Sequence, residues 1–178
     1  MRALIHAGLL LAAVPAAAQT STYSGEQARE IKALSPDETA DLLAGRGMGL
    51  ARAAELNQYP GPMHVLALAQ QLGLTDAQRA AVEASFARMS AAAKVLGAEI
   101  VERERALDAA FKRQTVSAEQ LADATAAIAA VQGRLRAAHL AAHLETRAVL
   151  TPQQVALYDR LRGYAGDAPP ATHRGHRG

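Results

Sequence analysis

Two histidines, His139 and His143, have the side-chain type and the spacing in this chain that best suit metal binding. Four residues apart in a predicted helix, both imidazoles lie on one face, where they can chelate a metal ion. His64, in an earlier predicted helix, is a possible third ligand. The ion would be divalent zinc, copper, nickel or cobalt, since imidazole suits such metals. The alternative is a structural pair, partly solvated at the edge of the apolar stripe and hydrogen-bonded on the helix surface.

A second pair of histidines, His173 and His176, lies in the tail 166–178. This tail is rich in Gly and Pro and has no apolar face, and its histidines alternate with Arg174 and Arg177. Such a composition predicts a plain disordered tail, and loose metal binding by its two histidines is the alternative.

The composition argues against catalysis. The 178 residues include no Cys, which excludes thiol nucleophiles, disulfides and Cys-ligated metal centres. No Ser, His and acidic residue have a spacing that suggests a triad. The run Gly45-x-Gly47-x-Gly49 has no preceding strand and Leu50 in place of a third glycine, so it predicts an interhelical loop and not a phosphate site. We therefore expect no enzyme and no catalytic residue.

The N-terminus has the pattern of an exported protein. Residues 1–18 comprise a basic start, an apolar run over 3–14 and Ala16-Ala17-Ala18, a signal-peptidase type of site. The apolar run is too short to span a bilayer, so we predict a cleaved signal peptide, a periplasmic protein and no membrane insertion of the mature chain. The net charge of +2, or +1 without Arg2, argues against nucleic acid as a partner.

Four capping boxes divide the mature chain into helices. In the polar segment 19–46 one of them opens a short helix. Two short helices, 50–58 and 63–72, are predicted to follow at the start of a helical domain over 47–165. The other boxes open long helices over 75–113 and 117–149 and a last helix that ends near 164. The boxes are Ser35/Glu38, Thr75/Gln78, Ser117/Gln120 and Thr151/Gln154.

The two long predicted helices carry a heptad stripe of Ala, Leu, Val and Ile. Only residues 114–116 separate them, so they must fold back as an antiparallel hairpin in an all-α protein with short flanking helices. Leu140 and Leu144 give the second helix another apolar side, covered either by the N-terminal helices or by a second subunit. Because a thin hairpin buries little area, we expect a homodimer.

Two copies of an L-T-x-x-Q motif flank this hairpin. The first consists of Leu74, Thr75 and Gln78, and the second of Leu150, Thr151 and Gln154. Each is a capping box preceded by Leu, and in the second copy Leu150 can pack on Val155. With the signal peptide, this arrangement resembles the periplasmic LTxxQ proteins, which include Spy/CpxP-type chaperones and heavy-metal sensor and resistance proteins. The resemblance covers residues 47–164.

That resemblance implies a hooked four-helix subunit that dimerises and has no catalytic chemistry. It also implies one of two activities: divalent-metal binding in a stress or resistance response, or ATP-independent holding of unfolded envelope proteins. A docking partner such as a membrane-bound stress sensor is a third interpretation. Where the family's metal-dependent members carry Glu, His and Met ligands, this chain has Phe86, Ala142 and Thr146. For a chaperone, the predicted client surface comprises Arg88, Met89, Leu96, Ile100, Arg103 and Leu107.

Overall fold

The computed structural model describes residues 20–165, which fold as an all-α structure without a β-strand in that range. The predicted signal peptide 1–18 and the tail 166–178, with His173 and His176, lie outside the described residues. After a 3₁₀ turn at Glu26–Ala28, the helices are α1 (Pro36–Leu43), α2 (Arg52–Glu55), α3 (Pro62–Ala67), α4 (Asp76–Lys112), α5 (Ala118–Val149) and α6 (Pro152–Leu161).

All four predicted capping boxes are present. At each one the Ser or Thr hydroxyl accepts the backbone N–H of the third helical residue, whose side chain accepts the N–H of the cap. These reciprocal bonds satisfy donors that a helix start otherwise leaves unpaired. They place the first residues of α1, α4, α5 and α6 where the sequence predicts them.

The helical hairpin of α4 and α5 is the frame of the molecule. Its antiparallel register brings the Arg134 guanidinium to Glu99 at 2.9 Å and the Ser85 hydroxyl to Glu145 at 2.6 Å. Along one flank the N-terminal segment and α1 pack on the hairpin and form a core with it. This core contains Ile31, Leu42, Ala93, Ile100, Val101, Val131 and Leu135.

The passage of α1 over α4 depends on Gly97. A Cβ atom at this position would lie 2.0 Å from the carbonyl oxygen of Leu42. Only glycine allows this approach of two backbones, so Gly97 fixes where α1 crosses the hairpin.

At the other end of the hairpin from its turn, the two L-T-x-x-Q motifs meet. The side-chain amide of Gln78 donates to Oε1 of Gln154 at 2.8 Å, and the Gln154 amide donates to Oε1 of Gln78 at 3.0 Å. A second core lies at this end of the hairpin. Leu150 and Val155 are both buried in it, as the predicted staple requires, and Leu74 packs against it. The motifs therefore fasten the starts of α4 and α6 together.

The short helices differ from the prediction. The predicted helix over 50–58 is reduced to α2, and the one over 63–72 ends at Ala67 and continues as turns. Residues 44–61, which we call the hook, contain left-handed residues at Gly45, Met48, Gly49 and Gln58, which interrupt helical hydrogen bonding. The last helix stops at Leu161, three residues before the predicted end.

On the second apolar side of α5, Leu144 is 58% exposed and is not covered by the N-terminal helices, whereas Leu140 is half-buried. Within residues 20–165, no helix combines the length and the apolarity needed to cross a membrane.

Candidate functional site

A cavity of ≈ 790 Å³ lies between the hook and the hairpin. The hook and the start of α3 form one wall, α4 and α5 form the floor, and residues after α6 close one end. Its volume is within the range of small-molecule pockets in proteins, about 300–1,000 Å³. All three histidines proposed from the sequence, His64, His139 and His143, line this cavity. The structure therefore brings His64 to the same cavity as two histidines that lie 75 and 79 positions later in the chain.

His139 and His143 are buried, at 4% and 8% exposure, and not partly solvated as the sequence predicts. The hook covers both rings: a Cβ at Gly47 would contact the edge of His139 at 3.8 Å, and one at Gly61 would lie 3.0 Å from Cε1 of His143. This correction has a physical reason, because the heptad pattern describes the α4–α5 contact and contains no information about a loop folded over it.

The nitrogen atoms of the two rings are in different states. Nδ1 of His143 lies 2.7 Å from the carbonyl oxygen of Tyr59, and since a carbonyl only accepts, Nδ1 carries the proton. In the neutral ring Nε2 then has a lone pair. Nε2 of His139 is buried and makes no hydrogen bond with residues 20–165. An unpaired buried nitrogen is costly to the fold.

The lowered pKa values of His64 and His139 favour the neutral imidazole, which is the form that binds metal. Burial, and to a smaller extent the Arg162 guanidinium, lowers the pKa of His64. Burial also lowers the pKa of His139, and neighbouring His143 adds to that effect. At neutral pH both imidazoles therefore retain a lone pair for a ligand.

Glu55 is the carboxylate among the lining residues, and it is already satisfied. Its Oε1 accepts hydrogen bonds from the hydroxyls of Tyr158 at 2.6 Å and Tyr164 at 3.1 Å, and its Oε2 accepts the N–H of Gly61 at 3.1 Å. Arg162 adds an ion pair at 3.4 Å. Glu55 thus connects the hook to α6, which is a structural role that leaves little capacity for a metal.

The described residues contain no group of three or more His, Cys, Asp and Glu side chains arranged to hold a metal ion. The three predicted histidines share a cavity, but nitrogen and oxygen donors alone do not complete a site among residues 20–165. Any metal must take further ligands from another residue type or from solvent.

Two methionines that the sequence analysis did not single out, Met48 and Met63, line the cavity, together with Met89 of the predicted client surface. Met48 in the hook, Met63 in α3 and Met89 in α4 all line the cavity, and with Met1 they make up the four methionines of the chain. Met48 and Met63 are 44% and 55% exposed. No spacing links these positions, since three separate elements carry them. The Gly47-Met48-Gly49 sequence, an apolar residue between two glycines in a loop, was the available signal.

Basic groups surround this apolar floor. Arg46, Arg52 and Arg162 line the cavity, Arg46 pairs with Asp41, and Arg162 pairs with Glu55. Within the described range, Arg52 has no ion pair. The lining is therefore mainly apolar, and among the described residues Arg52 is the lining arginine whose charge no carboxylate offsets.

The residues of the predicted client surface differ in exposure, from buried Ile100 to the Arg88 side chain, which is 65% exposed. Ile100 is 2% exposed beneath α1, and Leu96 and Leu107 are half-buried. Arg88 pairs with Glu145 at 2.8 Å and Arg103 with Glu99 at 2.8 Å. Only Met89 of the six lines the cavity. Ile100 in particular is wrong as a client contact, because the N-terminal segment occupies the surface that the hairpin alone would expose.

Comparisons with known proteins leave the family open: no family model matches the chain, and neither the curated proteins nor the solved structures include a significant match.

Proposed function

We propose that this chain is a non-enzymatic periplasmic protein of the LTxxQ type that binds a transition metal in the cavity beneath the hook. The supporting observation is the convergence of His64, His139 and His143, three imidazoles from two separate parts of the chain, on that cavity. The bond from His143 Nδ1 to Tyr59 adds support, since metal-binding histidines usually donate their other ring nitrogen to a carbonyl.

The residues fit a metal best at His143, where Gly61 leaves beside Nε2 the space that a side chain would fill. His139 Nε2 is unpaired but has no surface open to the cavity, so its ring must turn before it can reach an ion there. We assign His139 and His143 as the principal ligands and His64 as the third, which approaches if α3 moves towards α5.

Titration calorimetry of the mature chain tests this proposal. The sample carries His173→Ala and His176→Ala, so that the tail contributes no binding. Zinc, copper, nickel and cobalt are titrated singly, and at least one should give a 1:1 complex and raise the midpoint of thermal unfolding, because a ligand that binds only the native state stabilises it.

The double variant His139→Gln/His143→Gln is expected to lose that complex. Circular dichroism establishes that it remains folded. A matched control is Gln132→Ala, an exposed change on α5 away from the cavity. Absence of binding for all four metals, or binding unchanged in the folded double variant, refutes the assignment.

A second candidate is ATP-independent holding of unfolded envelope proteins. The observation that favours it is the open, apolar cavity with arginines at its margin. Methionine-lined surfaces adapt to many apolar partners because the side chain is flexible and polarizable. An unfolded segment with apolar and acidic residues suits such a surface.

Aggregation of reduced α-lactalbumin, followed by light scattering without nucleotide, tests the holding activity. The chain at molar excess should suppress scattering, and Met63→Glu should weaken suppression because it places a charge in the cavity. Leu161→Glu is the matched control, since Leu161 is 43% exposed outside the cavity. Unsuppressed aggregation, or equal effects of the two variants, counts against this function.

We also propose a homodimer, through the uncovered side of α5. Leu144 and, on α4, Val95 at 69% exposure are large apolar side chains without intramolecular cover. Sedimentation equilibrium should give a dimer for the wild type and a monomer for Leu144→Arg. A monomeric wild type at micromolar concentration contradicts this part of the proposal.

A further inference from the structure

Large apolar side chains in the lining of the cavity are open to solvent. Met48 and Leu56 of the hook and Met63 of α3 are each about half exposed. Phe86 and Met89 of α4, in the floor of the cavity, are only partly buried. Exposed apolar surface concentrated at one place marks a binding site, because its contact with water is unfavourable. A ligand that covers these side chains removes that cost.

The shape of this surface limits the size of the ligand. The hook touches the hairpin near both of its ends. A Cβ at Gly45 would lie 3.2 Å from the Cβ of Ala93 on α4, and one at Gly61 would lie beside the His143 ring on α5. The ≈ 790 Å³ between the hook and the hairpin is in the small-molecule range of about 300–1,000 Å³. This space suits a small molecule with an extended apolar body and excludes a folded partner.

Arg52, at the start of α2, supplies a charge that no carboxylate of the lining offsets. It has no ion pair among residues 20–165, whereas each of the other two lining arginines has a carboxylate partner. Its guanidinium lies against the hook backbone, where Nη2 would be 3.1 Å from a Cβ at Gly49. The residue is exposed, so this charge is available at the mouth of the cavity. A planar guanidinium holds a carboxylate through two parallel N–H bonds.

The remaining charge of the lining decides the sign of the ligand. Glu55 is the one carboxylate among the lining residues described, and hydrogen bonds from Tyr158, Tyr164 and Gly61 engage it. A cationic ligand therefore meets Arg52 without a free carboxylate to attract it. An uncharged apolar ligand leaves the Arg52 charge uncompensated. A ligand with an apolar chain and one carboxylate matches both parts of the lining.

We propose that the cavity beneath the hook binds a free long-chain carboxylate, a fatty acid, with its carboxylate on Arg52. The alkyl chain lies against the apolar lining, which comprises Met48, Leu56, Met63, Phe86 and Met89. Burial of the chain raises the affinity about fourfold for each methylene group removed from water. A bilayer lipid, whose chains remain in the membrane, would leave this lining uncovered. The binding requires no metal and is a further activity beyond the proposed function.

Titration calorimetry of the metal-free mature chain tests this proposal with octanoate, decanoate and dodecanoate, each below its micelle concentration. We expect one binding site and an affinity that rises about tenfold for each pair of methylene groups added. Decanol, the uncharged analogue of decanoate, should bind about fivefold more weakly because it lacks the ion pair with Arg52.

Two variants separate the charge from the apolar lining. Arg52→Gln should lose the preference for decanoate over decanol and keep the affinity for decanol. Leu56→Ser should weaken the binding of both ligands about fivefold, because it removes apolar contact area. The matched control is Arg136→Gln, since Arg136 is an exposed arginine of α5 that does not line the cavity. Its affinities for both ligands should equal those of the wild type.

Absence of binding for all three carboxylates overturns the proposal. An affinity independent of chain length overturns the role of the apolar lining, and equal effects of Arg52→Gln and Arg136→Gln overturn that of Arg52. Vesicles of phosphatidylglycerol should not sediment the chain. Binding to such vesicles without binding of free decanoate identifies a lipid surface in place of a fatty acid and contradicts the proposal. Because metal is absent throughout, each of these results is separate from the test of metal binding.

Discussion

The hairpin has a covered surface and a bare surface, and the two surfaces differ in the substitutions that they tolerate. The covered surface, which includes Gly97, Leu135 and His139, lies against α1 and the hook and contains buried polar atoms and backbone contacts. On the bare surface, with Gly133 and Leu144, side chains face solvent. Both surfaces are built from similar alanine-rich helical sequence. A cavity with buried histidines forms only where the hook lies over the hairpin.

Two glycine substitutions should give the largest contrast between the surfaces. At Gly97 a new Cβ would be 2.0 Å from the Leu42 carbonyl, whereas at Gly133 a Cβ meets nothing within 4 Å. Gly97→Ala should destabilise by about 3 kcal/mol because α1 must shift. Gly133→Ala should stabilise by about 0.8 kcal/mol through helix propensity. Urea unfolding measures both, and equal changes in the two variants would disprove the close packing of α1.

Two leucines of α5 sharpen the comparison within a single helix. Leu135 is 3% exposed and belongs to the core with α1, while Leu144 is 58% exposed. Leu135→Ala should cost about 3 kcal/mol in the free energy of unfolding, since it leaves a cavity. Leu144→Ala should change the stability of the subunit by less than about 0.5 kcal/mol. Denaturation is measured at a concentration low enough to keep the chain monomeric, and a large effect of Leu144→Ala there contradicts the assignment of a bare surface.

Two capping glutamines, Gln154 and Gln120, allow the end of the hairpin where the two motifs meet to be compared with the end at its turn. Gln154 caps α6 and also exchanges amide hydrogen bonds with Gln78, whereas Gln120 only caps α5 next to the turn. Gln154→Ala should cost about 2 kcal/mol because the Gln78 amide also loses its partner. The cost of Gln120→Ala should be about 0.5 kcal/mol. Thermal unfolding of both variants gives the values, and Gln78→Ala/Gln154→Ala tests whether the two losses are coupled.

The smallest expected effect is the pH dependence of the α1 cap. Hydrogen bonds from the Ser35 backbone N–H and then its hydroxyl lower the pKa of Glu38, whereas the other three boxes close with uncharged glutamine. A carboxyl whose pKa is lowered on folding stabilises the fold above its unfolded pKa, and this contribution disappears as pH falls through the folded value. The protection factors of the α1 amides, with the pH dependence of intrinsic exchange divided out, should therefore fall below about pH 4.3 in the wild type. In Glu38→Gln this added dependence should be absent, and identical pH profiles would show that the cap does not titrate.

Much of the fold could be predicted because it depends on local interactions. The Ser or Thr and the Glu or Gln of a capping box are three residues apart, so the bonds that begin α1, α4, α5 and α6 form within one turn. The heptad stripe and the short connection at 114–116 determine the hairpin in the same way. Helices such as α2 were less predictable, because in the hook glycines and left-handed residues compete with helical hydrogen bonding.

The candidate site was predictable only in part. The spacing of His139 and His143 identifies them as a pair, and His64, the third predicted ligand, lines the same cavity. Neither the burial of these rings nor the presence of Met48 and Met63 follows from any periodic pattern. Both depend on where the hook folds back, and that position depends on contacts such as Gly61 with His143 and Glu55 with Tyr158.

The sequence by itself determined the helical class, the four capped helix starts and the hairpin, since these arise from interactions within a few residues or from a repeated pattern. Only the tertiary structure decided which surface of the hairpin is covered, that the two L-T-x-x-Q motifs join through Gln78 and Gln154, and that His and Met side chains share one cavity. Those features depend on contacts between residues distant in the chain, and their energies are set by packing and burial that local sequence does not specify.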